Sequence, residues 1–173
     1  MEKQNRMVRT WVIYAMIAAI YTVTSLALAP ISFGSVQFRI SEALTLLPVF
    51  MPEAVIGVTV GCALTNIIGA MLGVNILGFV DVIVGTLATF LAALGTQKLA
   101  RMRWKNIPVM AAIPPIVINA VFIGAELAIL LGNGFQWSIF WIQALSVGIG
   151  QLVSCCLLGL PLVMHLEKRK KTT

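Results

Sequence analysis

The chain has 173 residues, of which 60% are apolar and only 10% are Asp, Glu, Lys or Arg, against about 45–50% and about 25% in a soluble domain. With a mean hydropathy of +0.99 it cannot cover a water-exposed surface, which excludes a secreted disulfide scaffold, a nucleic-acid-binding domain and a cytosolic enzyme. The net charge of +6 is uneven: residues 1–10, 98–106 and 166–173 carry +2, +4 and +3, and the remaining five charged residues sum to −3.

A membrane-spanning helix needs about 20 mainly apolar residues. The first such run, Trp11 to Pro30, is too long for the apolar region of a cleaved signal peptide and is followed by more of the same. A loop over 31–36 leads to a short apolar stretch, about 38–51, opened by Arg39 and Glu42. Pro52 suits the first position of the next helix, with Glu53 favourably near its N-terminus. That third span covers about 53–72, the fourth about 80–97, and the fifth about 107–131 with Pro108, Pro114 and Pro115 in its first half. Gly132-Asn133-Gly134 reads as a turn, and the sixth span runs over about 137–165.

The expected fold is therefore an all-α, single-domain integral membrane protein of six transmembrane helices. Short basic loops stay cytoplasmic, so both termini and the 98–106 loop belong inside, and six spans give the same parity. Cys62, Cys155 and Cys156 lie in apolar runs and read as small buried hydrophobes. With His165 the one histidine, no metal cluster is expected.

Ionisable groups within spans are costly, face the bundle interior and mark functional sites by default. On this topology Arg39, Glu42, Asn66, Asp81 and Glu126 all fall toward the outer face, with Asn119 two turns deeper than Glu126 on the same helical face. Trp137 and Trp141 begin the sixth span on that side, on a stripe with Ala144, Gly148 and Gln151. Among the interior acids only Glu53 falls on the cytoplasmic side. A channel or alternating-access carrier needs polar lining through both halves, so this distribution implies an outward-facing binding pocket above an apolar plug. Simpler readings compete for some members: Arg39 and Glu42, three residues apart, could neutralise each other, Asp81 could serve the helix N-terminus, and Trp137 could be a belt residue. In the first span Ala15 and Ala19 repeat at the spacing that lets helices approach closely in lipid, as do Gly57 and Gly61 in the third.

The stretches Ala29-Pro30-Ile31-Ser32-Phe33-Gly34 and Gln37-Phe38-Arg39-Ile40-Ser41-Glu42-Ala43-Leu44 resemble the signature of the QueT-like queuosine-precursor substrate-binding components. Pro52-Glu53-Ala54 and Asp81-Val82-Ile83-Val84-Gly85-Thr86-Leu87-Ala88 are similar to later parts of that pattern. The resemblance implies an S component of an energy-coupling factor importer in a prokaryotic plasma membrane, which binds its ligand from outside under loops one and three. It implies docking of Ala15 and Ala19 on a transmembrane T component, and two cytoplasmic ATPases that use the ATP. The chain itself would need no cofactor and carry no catalytic residue. The implied ligand is queuine or 7-aminomethyl-7-deazaguanine, with Glu126 or Glu42 reading its donor edge, Trp141 stacking, Arg39, Asn66 or Asn119 at the carbonyl, and Asp81 neutralising an aminomethyl group. An S component for another vitamin or base is the alternative. A small intramembrane enzyme using Glu42, Asp81 and Glu126 lacks an evident nucleophile–base pair.

Overall fold

A computed structural model describes residues 2–34 and 38–172. Its elements are helical: α1 (Glu2–Ala27), α2 (Ala29–Ser32), a 3₁₀ helix (Ile40–Val49), α3 (Ala54–Met71), α4 (Val80–Leu99), a 3₁₀ turn (Val109–Ala112), α5 (Ile113–Leu131), α6 (Trp137–Leu152), a π-helical segment (Val153–Gly159) and α7 (Leu160–Thr172). Among the described residues five helices are long and apolar enough to cross a membrane, the last running unbroken through the π segment from Trp137 to Arg169.

The expected second span is the exception. Ile40–Val49 is a ten-residue 3₁₀ helix, which at about 2.0 Å per residue reaches about 20 Å, short of the roughly 30 Å hydrocarbon core. It packs against α1, α3, α4, α7 and the π segment. Most of it is enclosed, with Ser41, Glu42, Ala43, Thr45, Leu46, Leu47 and Pro48 buried and Ile40, Leu44 and Val49 half-buried.

Several boundaries move for local reasons. The first span ends at Ala27, and Pro30 sits instead in the first turn of the separate α2, where its missing N–H is harmless. Pro114 and Pro115 likewise fall in the first turn of α5, which starts at Ile113. Glu53 precedes α3 without capping it through its side chain, and is exposed. The basic flanks are not loose tails, since α1 begins at Glu2 and α7 runs to Thr172. Gln37 lies outside the described residues.

Glycines set the closest helix contacts. A Cβ on Gly61 would stand 2.8 Å from Tyr21 Cβ and 3.0 Å from Ala18 Cα, and one on Gly57 2.8 Å from Ile17 Cβ, so this pair seats α3 on α1. Gly124 does the same for α5 on α6, against the backbone of Ala144. The surface is inverted relative to a soluble protein: Ile83 is 73% exposed, while Asp81, two residues before it, is fully buried.

The three basic segments gather at one end. Arg103 makes a two-pronged ion pair with Glu167, at 2.6 and 2.9 Å, while Arg6 and Arg9 share a groove with Leu166 and Glu53. The opposite, aromatic end carries Phe135, Trp137, Phe140 and Trp141 in mutual ring contact.

Candidate functional site

Toward the aromatic end, the structure buries five of the expected residues in two hydrogen-bonded groups, Arg39, Asn66 and Asp81 in one and Glu42 and Asn119 in the other. Arg39, the residue just before the 3₁₀ helix, does not pair with Glu42. Its Nη2 donates to Asp81 Oδ2 at 2.7 Å and its Nε to the Ser32 carbonyl at 3.3 Å. Asp81 does not cap α4; it also accepts from Asn75 Nδ2 at 2.9 Å, while Asn66 Nδ2 donates to its main-chain carbonyl at 2.7 Å. Glu42 accepts hydrogen bonds from the Tyr21 hydroxyl and, at 3.4 Å, from Asn119 Nδ2. Breaking a buried ion pair by removing one partner costs roughly 3–5 kcal/mol, so these contacts decide the shape of this end of the bundle.

The two loops at the aromatic end lie over these groups. Phe33 is buried and its ring sits 5.0 Å from the Arg39 guanidinium, a cation–π contact that strengthens where water is excluded. The ring fits over Gly69, where a Cβ would come within 2.7 Å of it. From the other loop, Asn75 holds Asp81 and accepts from the Leu77 N–H at 3.1 Å; Gly73 and Gly78, both at positive φ, make the bends at its two ends.

Glu126 stands apart. It is 8% exposed, and neither carboxylate oxygen has a hydrogen-bond partner among the described residues. It lines a cavity of about 460 Å³ between α4 and α5, whose other walls include Leu77, Val80, Val84, Phe122 and Ile129. That volume lies in the range of small-molecule sites, about 300–1,000 Å³. Asp81 Oδ1 and Asn66 Oδ1 are also buried without partners. Such groups are rare because an unsatisfied buried polar atom costs about 1–3 kcal/mol; of the eight such atoms among the described residues, four belong to these three expected site residues and the others to Ser32, Thr65, Thr86 and Ser154.

Trp137 and Trp141 are not brought to this cluster: they are 66% and 64% exposed and pack on other aromatic side chains. Ala15 and Ala19 are exposed on α1, whereas Ala18 beside them is buried under Gly61. Four residues not singled out as site candidates are structural partners of the site: Tyr21, Asn75, and Phe33 and Gly85, which stand within the family-like stretches. Gly85 is one turn beyond Asp81, and a methyl group there would occupy the place of Asp81 Oδ1 and come within 2.8 Å of Asn66 Nδ2. Below the two groups the core is mainly apolar toward the basic end, built from Leu47, Val58 and Ala93 on one side and Leu46, Cys155 and Val163 on the other.

The described residues thus form a multi-pass helical membrane protein with Arg39, Asp81 and Glu42 buried beneath two loops. The comparisons agree: the chain belongs to the QueT transporter family, whose pattern matches residues 11–168. A relative from Lactococcus lactis subsp. cremoris (strain MG1363), named Queuosine precursor transporter QueT, is 38% identical over 77 residues, which are 43% of this chain and 41% of that protein. The alignment thus spans less than half of the relative's length. No solved structure matches the chain.

Proposed function

We propose that the chain is the substrate-binding subunit of an ATP-driven energy-coupling factor importer, and that it takes a 7-deazaguanine queuosine precursor from outside the cell. The observation that carries this reading is Glu126, a carboxylate buried at an apolar cavity with both oxygens unpartnered. The guanine-like edge of queuine or 7-aminomethyl-7-deazaguanine presents N1–H and an exocyclic amine, two parallel donors that one carboxylate accepts together. Glu42, the other candidate, already serves Tyr21 and Asn119. Phe122, on the cavity wall, offers a ring face nearer to Glu126 in sequence than Trp141 does, and base–aromatic stacking is worth about 1–3 kcal/mol. Asp81 Oδ1 is the acceptor for an aminomethyl cation.

In this reading the aromatic end faces outward and the basic end, with both termini, faces the cytoplasm. The 3₁₀ helix counts as the sixth, incompletely spanning element. Ala15 and Ala19 dock on the T component, and ATP is consumed by two partner ATPases. The chain binds its ligand without converting it. Support for the class comes from the family and from the mainly apolar core below the two groups, which suits a subunit whose ligand is released by movement of the whole protein.

Equilibrium binding by the purified protein against a panel of 7-deazaguanines, guanine and vitamins tests the ligand. Tight binding of a 7-deazaguanine is expected, weakened roughly 10- to 100-fold in Glu126→Gln, since a charge-assisted hydrogen bond contributes about 1.5–3 kcal/mol. Binding of a vitamin instead would assign the chain to another micronutrient. Turnover of the bound molecule would make it an enzyme.

A further inference from the structure

We infer that the groove at the basic end, between α1 and the 3₁₀ helix, is a binding site for one anionic phospholipid. The groove has a volume of about 700 Å³, and its walls are Ile13, Ile17 and Ile20 of α1 with Leu47, Phe50 and Leu166. Arg6 and Arg9 lie at its basic end, three residues apart and so on one face of α1. From Arg9 to Ile20 the helix rises about 16 Å, close to half of the roughly 30 Å hydrocarbon thickness. A headgroup held by the arginines would therefore let an acyl chain lie along the groove to about the bilayer midplane.

Charge and shape identify the occupant. Guanidinium groups bind phosphate oxygens in pairs, and basic pockets between membrane helices take anionic headgroups. Glu53 shares the groove; its carboxylate accepts from headgroup hydroxyls and disfavours a second negative charge, which suits phosphatidylglycerol. A partner helix is a poorer fit, because close helix approach in lipid needs small residues and the apolar side chains lining this groove, Met16 and Met51 included, are large. Ala15 and Ala19 fall on the opposite side of α1 from the Ile13, Ile17 and Ile20 stripe, so this site is separate from the proposed docking face.

The test is thermal unfolding of the full chain in detergent, titrated with phosphatidylglycerol or phosphatidylcholine, together with labelling by a photoreactive phosphatidylglycerol. Phosphatidylglycerol should raise Tm by several degrees more than phosphatidylcholine, with labelling confined to α1, residues 47–53 and the part of α7 around Leu166. The extra shift should vanish in Arg6→Ala/Arg9→Ala and return in Arg6→Lys/Arg9→Lys, while Lys98→Ala/Arg101→Ala keeps it. Retained 7-deazaguanine binding, or an unchanged unfolding profile in phosphatidylcholine, shows that the double variant is folded. Equal shifts with both lipids, a shift that survives in the double variant, or labelling spread around the bundle would overturn the site. So would cross-linking of this groove to a protein helix in the assembled importer. A shift produced by glycerol phosphate alone would reassign it to a free anion.

Discussion

Arg39 shows what one side chain decides. It lies 5% exposed between the Asp81 carboxylate and the Phe33 ring, so Arg39→Ala leaves a buried carboxylate with its countercharge gone. Denaturation in detergent should show a loss of about 3–5 kcal/mol, far more than Arg103→Ala at the partly exposed pair with Glu167, where about 0–1 kcal/mol is expected. Gly85 gives a second prediction. Gly85→Ala should destabilise by about 1–3 kcal/mol through overpacking and weaken ligand binding by displacing Asp81. Gly148→Ala, whose Cβ would meet Ala120 at an ordinary 3.5 Å, should do neither.

The residues legible in the sequence are those whose presence in an apolar run needs an explanation: Arg39, Glu42, Asn66, Asp81, Asn119 and Glu126. Their partners were not legible. Tyr21 and Phe33 look like packing residues until the fold points one hydroxyl at Glu42 and one ring at Arg39. Gly85 is one glycine among 14, and only the position of Asp81 distinguishes it. Trp141 illustrates the reverse difficulty, since helical spacing puts it on a stripe with Gln151 but cannot say that its own end of the stripe turns outward.

At the scale of elements, the long helices follow from apolar length, and their limits fall within a few residues of expectation where prolines and glycines punctuate them. The winding of the short segments does not follow. Over ten residues with only Ser41, Glu42 and Thr45 polar, a repeat of 3.0 cannot be separated from one of 3.6, so Ile40–Val49 reads simply as a short span. The π segment Val153–Gly159 is equally silent; it packs against that 3₁₀ helix, where a Cβ on Gly159 would stand 2.8 Å from Leu46 and 3.0 Å from the Ala43 carbonyl. The two small-residue pairs separate in the same way. Gly57 and Gly61 are consumed by internal packing, while Ala15 and Ala19 remain on the outer surface of α1. Ala15→Trp with Ala19→Trp should therefore leave folding and ligand binding intact and abolish uptake by the assembled importer. Unchanged uptake would refute docking through this face.

For the whole molecule, the uneven charge of the sequence is realised as two unlike ends. Arg103 meets Glu167 across the chain, and Arg6 and Arg9 come beside Leu166, so segments far apart in sequence form one basic rim. Arg39, Glu42 and Asp81 collect toward the other end, and the core between is uncharged and mainly apolar, with Thr45, Thr96, Gln151 and Ser154 buried within it.

That middle layer is also an electrical insulator. Moving an elementary charge across a membrane potential involves about 2.3 kcal/mol per 100 mV, and an ion or proton attempting the passage finds, below Glu42, a close-packed layer of Leu46, Leu47 and Val163 in which the buried Thr45, Gln151 and Ser154 carry no charge. A membrane protein of this kind can reside in an energised membrane without draining the gradients that the cell maintains. Proteoliposomes holding the chain alone should keep an imposed pH gradient as long as protein-free vesicles do, with or without ligand, and a pH-sensitive dye trapped inside would reveal any leak.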